Sequence, residues 1–210
     1  MPAPAPASLA AFSLRDGRRL VAGWTGMGEA ATRAAIASLA GRVPALVHVG
    51  CAGALDPALD TGAGLLIRRV IRDGVVGGDG VLELGPGPPA LAGLREGCAV
   101  TVGAIVSAPA DKAALRARTG GDVAEMETFE AVRAARAAGL EVICLRVVVD
   151  RADEQLPDLT AGLDEVGRPR PLAMARTLLR RPGATARLPR LARAFGQAQA
   201  ELTRLVLLLT

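Results

Sequence analysis

Apolar runs of strand length alternate along this chain with segments of helical composition, and no other feature restricts the fold as strongly. The apolar runs are Arg19–Trp24, Ala45–Val49, Leu65–Ile71, Ala99–Ser107, Val123–Glu127 and Glu141–Val149. The helical segments between them are Glu29–Ala40, Asp111–Arg118 (capped at Asp111) and about Thr128–Ala138. Strands joined by helices of about ten residues form a mainly parallel sheet with right-handed crossovers. We therefore predict an α/β fold, a single three-layer domain with a mixed, mainly parallel sheet flanked by helices.

The two ends of the chain differ from this central pattern. The 210 residues suit one domain, in which we expect residues 1–17 to be a flexible leader and residues 168–210 to form Arg-rich C-terminal helices. Those last residues hold nine Arg and one acidic residue, Glu201. An apolar stripe in the final helix consists of Leu188, Leu191, Phe195, Ala198, Leu202, Leu205 and Leu209. The stripe predicts packing on the sheet, with a dimer seam or a membrane surface as the alternatives.

Composition argues against several classes of function. Aromatic residues make up 2 % of the chain, which disfavours stacking on single-stranded nucleic acid. The net charge of +4 keeps nucleic-acid binding through the basic tail as the alternative that we rank last. Cys51, Cys98 and Cys144 are scattered and His48 is the one histidine, so we expect neither a disulfide framework nor a metal site. We expect a cytoplasmic protein without a signal peptide or a membrane-spanning run.

Two glycine-containing segments are candidates for ligand binding. Gly26 and Gly28 form a tight turn after a strand, where backbone N–H groups and a helix N-terminus favour an anion, and a simple turn is the alternative. In Gly50–Gly53 the small residues allow a ligand to approach the backbone closely, and the alternative is a close packing contact within the protein. We interpret Cys51 as an apolar filler rather than a nucleophile, because His48 is the only general base near it in sequence.

Charged residues at strand ends or inside strands supply further candidates. Glu127 follows Met126, and a carboxylate there could accept hydrogen bonds from the two hydroxyls of a ribose or stabilise a helix N-terminus. Asp150 follows a nearly continuous apolar strand, where a carboxyl can have a raised pKa and act as a general acid, or can cap the turn that follows. Arg146 lies inside the same strand and needs a buried partner, for which Asp150 or Glu127 is available.

Four segments in this order resemble the superfamily of purine nucleoside phosphorylases and methylthioadenosine/adenosylhomocysteine nucleosidases: Thr25–Gly28, Val47–Asp56, Glu125–Thr128 and Arg146–Asp153. The C-terminal segments that are most similar to the hopanoid-associated subgroup are Leu156-Pro157, Gly167-Arg168, Leu178–Pro182 and Leu188–Leu191. That subgroup is associated with the removal of adenine from adenosylhopane, a lipid nucleoside. The resemblance implies the nucleoside phosphorylase fold and an enzyme that breaks the N-glycosidic bond of an adenosine-type purine nucleoside, by hydrolysis or phosphorolysis.

The resemblance also implies roles for individual residues. Asp150 would protonate or hydrogen-bond the purine N7, Glu127 would hold the ribose hydroxyls, and Met126 would pack on the sugar. The other substrate-binding residues that the resemblance implies are Glu125, Arg146, Cys51, Ala52 and Gly53. Those that it implies for the nucleophile or phosphate pocket are Gly26, Gly28 and His48.

Cofactor and partner expectations follow from the same resemblance. It implies no metal or organic cofactor, and phosphate would be a co-substrate if the reaction is phosphorolysis. The expected partners are a small-molecule nucleoside, lipid-linked in the hopanoid case, and further copies of the chain in a homodimer or higher homo-oligomer, with no nucleic acid. A lipid-linked substrate would place the basic tail in peripheral contact with the inner membrane. The alternative is a non-catalytic purine- or nucleoside-binding protein, or a subunit that needs a partner.

Overall fold

A β-hairpin begins the part of the chain that the structure describes. The computed structural model describes residues 9–13, 19–23, 29–156 and 188–210. Strand β1 (Leu9–Ser13) pairs antiparallel with β2 (Arg19–Gly23), and the two form a sheet of their own. The segment that we predicted as a flexible leader therefore contains a strand, because every residue of β1 has a register partner in β2.

The remaining elements follow the predicted alternation of strands and helices. In chain order they are α1 (Glu29–Ala37), β3 (Ala45–Ala54), β4 (Gly64–Arg72), β5 (Val81–Glu83), β6 (Arg95–Thr101), α2 (Pro109–Thr119), β7 (Val123–Glu125), α3 (Thr128–Ala137), β8 (Glu141–Asp150) and α4 (Leu188–Leu207). Two short 3-10 turns occupy Gly78–Gly80 and Pro89–Leu91.

The main sheet closes on itself. Its strand order is β5-β4-β6-β7-β3-β8, and β4 also pairs with β8, so five strands form a ring to which β5 is attached. One edge of β4 serves two partners, since Gly64–Ile67 pair with β8 and Arg69–Ile71 pair with β5. The two longest pairings, β3 with β8 and β4 with β6, are parallel, whereas β3 with β7, β4 with β5 and β4 with β8 are antiparallel. The mixed sheet flanked by helices confirms the predicted fold class, and its closure was not predicted.

Strand β8 is buried on both faces, which explains its nearly continuous apolar sequence. Cys144 and Val148 belong to the core cluster that includes residues of α3. The β8 residues of the opposite face, which pack with α4, are Leu145, Val147 and Val149. Because strand side chains alternate with a period of two, Arg146 belongs to the face that packs with α3. A register shift near the end of the β3–β8 pairing interrupts this alternation and puts Asp150 opposite Gly53, on the side where α2 packs. The strand therefore carries two charged side chains inside the protein.

Strand β3 is longer than predicted. It continues to Ala54, so Gly50–Gly53 lies inside the strand rather than after its end. The cause is tertiary, because β8 runs beside β3 as far as the pair of Gly53 with Asp150 and supplies backbone partners along this length.

Strand β6 and helix α2 also differ from their predicted bounds. The strand begins at Arg95, four residues before its predicted start, and ends at Thr101. Residues 102–108 have no helix or strand assignment, although the strand was predicted to continue to Ser107. Helix α2 begins at Pro109 with Ala108 as its N-cap, so Asp111 lies in the first turn and is not the cap. Proline suits the first helical position because its fixed φ is already helical and its missing N–H is not needed there.

Helix α4 packs on the sheet through the predicted apolar stripe. Ala198 and Leu205 of the stripe have no exposed surface, and Ala194 beside the stripe is also buried. Phe195, which was predicted in the stripe, is 49 % exposed and lies at its edge. Residues 168–187 of the predicted C-terminal helices lie outside the described residues. Within the described ranges, no helix combines the length and the apolar character that crossing a membrane requires.

We expect Leu205→Ala to lower the free energy of unfolding by about 2–5 kcal/mol, because it leaves a cavity between α4 and β8. Leu207→Ala is the matched control, since Leu207 lies on the same helix and is 66 % exposed. Urea unfolding followed by circular dichroism measures both. Equal effects of the two substitutions would contradict the packing of α4 on the sheet.

Candidate active site

Asp150 ends β8 and its carboxyl group is buried. The residue is 2 % exposed and lies opposite Gly53 of β3 in the register of the two strands. A Cβ atom at Gly53 would lie 2.9 Å from Oδ2 of Asp150 and 3.1 Å from Oδ1. Gly53 thus gives the carboxyl the space that any other residue would fill.

The partner of Asp150 is Lys112, which the sequence analysis did not single out. Nζ of Lys112 lies 2.5 Å from Oδ2 of Asp150 and also donates to the carbonyl oxygens of Arg151 (2.6 Å) and Glu154 (3.0 Å). Lys112 is 1 % exposed. A signal for it did exist, because Lys112 lies three residues before the buried Leu115 and hence on the same face of α2.

The environment of Asp150 shifts its proton affinity in the direction needed for an acid. Burial raises the pKa of this carboxyl above its ordinary value, and the hydrogen bond and positive charge of Lys112 oppose the shift. The negative charge of Glu154 adds a smaller upward contribution to the pKa. Among the described residues, none donates a hydrogen bond to the second oxygen, Oδ1. The carboxyl can therefore donate or accept a proton through Oδ1 while Oδ2 is held.

Arg146 is the centre of a second buried polar group. Its Nη2 lies 2.9 Å from Nδ1 of His48, 2.6 Å from Oγ1 of Thr128 and 3.3 Å from Oε2 of Glu125. The described partners of Arg146 include neither Asp150 nor Glu127, contrary to prediction. Asp150 lies four residues further along β8, past the register shift in its pairing with β3, so the two charges are satisfied separately.

Glu125 links this polar group to the start of α3. Its Oε2 accepts hydrogen bonds from the backbone N–H groups of Glu127 (2.9 Å) and Thr128 (2.7 Å), and its Oε1 accepts one from the hydroxyl of Thr101. The same hydroxyl oxygen accepts from the backbone N–H of Phe129 at 3.0 Å. Both oxygens of Glu125 are thus engaged by the protein itself, which favours a positioning role over the predicted substrate contact.

Glu127 and Met126 lie in the connection between β7 and α3. Glu127 is half-buried and occupies the N-cap position of α3, in agreement with the alternative reading of a carboxylate at a helix N-terminus. Met126 packs beside a cluster that contains Leu55, Val102 and Leu115. Their predicted contacts with a sugar remain predictions.

His48 is buried and electrically neutral. Burial, with a further contribution from the positive charge of Arg146, holds its pKa well below the ordinary value. Since a guanidinium only donates, Nδ1 of His48 accepts the hydrogen bond from Arg146 and the ring proton is on Nε2. Gly50 makes room for this group, because a Cβ there would lie 3.2 Å from Nη1 of Arg146. Gly26 and Gly28, predicted with His48 in the nucleophile or phosphate pocket, lie outside the described residues.

The predicted pocket residues Cys51 and Ala52 lie in different clusters. Ala52 belongs to the core cluster that includes Phe129, and Cys51 packs against the cluster on the α4 side of the sheet. Burial raises the pKa of the Cys51 thiol, so it stays protonated, in agreement with its interpretation as an apolar filler. In the part of the chain that the structure describes, no three His, Cys, Asp or Glu side chains are grouped to hold a metal ion.

Comparison of the sequence with protein families identifies the family of this chain. The family described as the Phosphorylase superfamily matches residues 10–180. The chain belongs to the phosphorylase superfamily. This match confirms the superfamily that the four motifs predicted and, at that level, the prediction of an enzyme that acts on N-glycosidic bonds.

Solved structures share the fold of this phosphorylase-superfamily chain. A 5′-methylthioadenosine/S-adenosylhomocysteine nucleosidase from Helicobacter pylori with butyl-thio-DADMe-Immucillin-A is 16 % identical at a TM-score of 0.67, covering 95 % of this chain and 84 % of that chain. Futalosine hydrolase of Helicobacter pylori strain 26695 is 16 % identical at a TM-score of 0.63, and the match covers 89 % of this chain and 84 % of that chain. A 5′-methylthioadenosine/S-adenosylhomocysteine nucleosidase from Colwellia psychrerythraea 34H in complex with adenine is 18 % identical at a TM-score of 0.61. That match covers 92 % of this chain and 84 % of that chain. No curated protein sequence matches the chain.

We expect Gly53→Ala to lower the free energy of unfolding by about 1–3 kcal/mol, because the new methyl group would displace the Asp150 carboxyl from Lys112. Gly93→Ala is the control, since a Cβ at Gly93 meets no atom within 4 Å and its backbone needs no positive φ. Chemical denaturation measures both variants. If the Gly53→Ala protein is as stable as the Gly93→Ala protein, the Asp150 carboxyl does not need the space that Gly53 leaves.

The lowered pKa of the buried His48 should make the stability of the fold depend on pH. The unfolded chain binds a proton at His48 below about pH 6.5 and the folded chain does not, so the folded state loses up to about 1.4 kcal/mol per pH unit as the pH falls below that value. His48→Gln keeps an acceptor for Arg146 and does not titrate. Between pH 7 and pH 5 the free energy of unfolding should fall more in the wild type than in the variant. Parallel curves for the two proteins would refute the neutral buried imidazole.

Proposed function

We propose that this protein cleaves the N-glycosidic bond of an adenosine-type purine nucleoside, with Asp150 as the acid that assists departure of the base. The observation that carries the proposal is the buried carboxyl at the end of β8, with a raised pKa, one oxygen held by Lys112 and the other without a described donor. Support comes from the superfamily match and from similar folds whose names are nucleosidase and hydrolase, one of them in complex with adenine.

The chemistry needs a proton on the leaving base. Cleavage leaves the electron pair of the C1′–N9 bond on the purine, and the proton that Asp150 gives to N7 offsets the negative charge that develops there. Water or phosphate then adds to C1′, whose transition state has oxocarbenium character. A carboxyl with a raised pKa stays protonated closer to neutral pH, and one that is fixed in the fold needs no reorganisation when charge develops.

The start of α3 is proposed to hold the sugar. Glu127 would accept hydrogen bonds from the ribose hydroxyls, with Met126 packed against the ring. The backbone N–H of Glu127 is tied to Glu125, and Glu125 is tied to Arg146, so the buried polar group fixes the position from which Glu127 would act. His48 belongs to that group, and with Gly26 and Gly28 it is proposed to border the nucleophile or phosphate.

The substrate class proposed within this chemistry is a lipid-linked adenosine. The similarity of the C-terminal segments to the hopanoid-associated subgroup supports adenosylhopane as substrate, with release of adenine. Peripheral membrane contact through the basic C-terminal residues and assembly into a homo-oligomer belong to the same proposal. These extend the proposed reaction and do not alter the role of Asp150.

Release of free adenine from a panel of nucleosides tests the proposal. The panel contains adenosine, 5′-methylthioadenosine, S-adenosylhomocysteine and an adenosine with a long 5′-alkyl chain, each with and without phosphate. Dependence on phosphate identifies phosphorolysis, and preference for the alkylated substrate supports the lipid-linked class. Calorimetric binding of adenine with no turnover under any condition would identify a non-catalytic purine-binding protein instead.

We expect Asp150→Asn to reduce the rate of adenine release by at least about 100-fold, because the amide cannot supply the proton. Asp153→Asn is the matched control, since its carboxylate lies three residues away, is 74 % exposed and pairs with Arg151. The control should retain the wild-type rate. An Asp150→Asn protein that is as active as the control would show that another group is the acid.

A further inference from the structure

Lys112 is a buried cation that the proposed reaction does not yet explain. Its ammonium has three N–H donors, and three acceptors lie within hydrogen-bonding distance of it: Oδ2 of Asp150 at 2.5 Å, the carbonyl oxygen of Arg151 at 2.6 Å and that of Glu154 at 3.0 Å. The side chains of Lys112 and Asp150 are 2 % and 3 % exposed. The donors of this ammonium are therefore fully used inside the protein.

The stability of helix α2 does not account for a lysine at this position. Lys112 is the fourth residue of a helix that begins at Pro109, and the positive end of the helix dipole disfavours a cation there. Lys112 is also the only lysine of the chain, which has arginine at its other 24 basic positions. A planar guanidinium directs its donors in a fixed fork, whereas a compact ammonium can serve three acceptors that surround one point. The geometry at Asp150 is one that lysine fits and arginine does not.

Lys112 fixes the carboxyl and the backbone that follows it at the same time. It binds Oδ2 of Asp150, and among the described residues no donor is bonded to Oδ1. The two carbonyl contacts hold the turn after β8, and the backbone N–H of Leu156 donates to the carbonyl of Ser107 at 3.0 Å. The carboxyl therefore has a fixed rotation with one oxygen committed and one available.

We propose that Lys112 is a positioning residue of this active site, which holds Asp150 by Oδ2 and leaves Oδ1 to face N7 of the purine. This inference rests on the function proposed above. The proton passes from Oδ1 to N7, the C1′–N9 electron pair leaves with the base, and the carboxylate that remains is neutralised by the Lys112 ammonium. Asp150 regains a proton from solvent after the purine departs.

The charged groups around Asp150 come from several elements. Helix α2 contributes Lys112, and the turn after β8 contributes Arg151, whose side chain binds Asp60 and Asp153. Glu154 of that turn is paired with Arg190 of α4 at 3.2 Å. Opposite Asp150, β3 contributes the uncharged Gly53. Lys112 is thus the cation in direct contact, and its removal should raise the pKa of Asp150 further.

The pH profile of kcat/KM for adenine release is the first test. In Lys112→Met, the alkaline limb that reports loss of the Asp150 proton should move to higher pH by at least about one unit, and kcat should fall. Lys112→Arg should return the limb toward its wild-type position without restoring kcat. Arg118→Met is the control, since Arg118 lies on the same helix, is exposed and pairs with Asp73. A uniform loss of activity with an unmoved limb would overturn the proposal.

The single lysine allows a second test on the unmodified chain. With 13C- and 15N-labelled lysine and a lysine-free purification tag, the NMR spectrum contains one lysine side chain, that of Lys112. Its signals should titrate with Asp150 in the wild type, lose that titration in Asp150→Asn, and shift when adenine is added only if Asp150 is present. Signals of a freely rotating ammonium, or signals that are indifferent to Asp150→Asn, would overturn the proposal even if Lys112→Met fails to fold.

The two measurements separate this inference from the proposed reaction. Cleavage of nucleosides by a protein whose lysine signals ignore both Asp150→Asn and adenine supports the reaction and overturns the role of Lys112. Lysine signals that respond to adenine through Asp150, in a protein that releases adenine from no nucleoside, support the positioning role and overturn the reaction.

Discussion

The structure depends on neutralising the two charged side chains that β8 carries inside the protein. An unpaired charge in a protein interior is costly relative to the small net stability of a domain, so Arg146 and Asp150 each need partners. Arg146 is satisfied by β3, β7 and α3 through His48, Glu125 and Thr128, and Asp150 is satisfied by α2 through Lys112. Because these partners lie on four different elements, meeting the requirements of β8 fixes the arrangement of those elements around it.

The same requirement shapes the candidate active site. Two positions of β3 are glycine where a side chain would meet Arg146 or Asp150 on the neighbouring strand, so the small residues of Gly50–Gly53 admit charged side chains of the protein. The Arg146 group orients the start of α3 through Glu125, and Lys112 orients Asp150. The residues proposed to act on the sugar and on the base are thus each supported by buried groups that hold them in place before a ligand arrives.

The local sequence pattern predicted most of the helices and strands but few of the contacts between them. β4, α3 and β8 lie within two residues of their predicted bounds, because apolar periodicity and glycine stops reflect forces that act over a few residues. β3 was misjudged at its C-terminal end and β6 at both ends, because pairing with a neighbouring strand decides how far a strand extends. The partner of Arg146 was misassigned because strand register, and not proximity in sequence, determines which side chains meet.

The sequence by itself determined the α/β class, the superfamily, and Asp150 and Glu127 as candidate chemical groups, since these follow from composition, spacing and motif. Only the tertiary structure decided that the sheet closes into a ring, that His48 is a neutral acceptor for Arg146, and that the one lysine meets Asp150. The physical reason is distance along the chain. His48 and Arg146 are 98 residues apart and Lys112 and Asp150 are 38 apart, so their contacts depend on how strands and helices are packed.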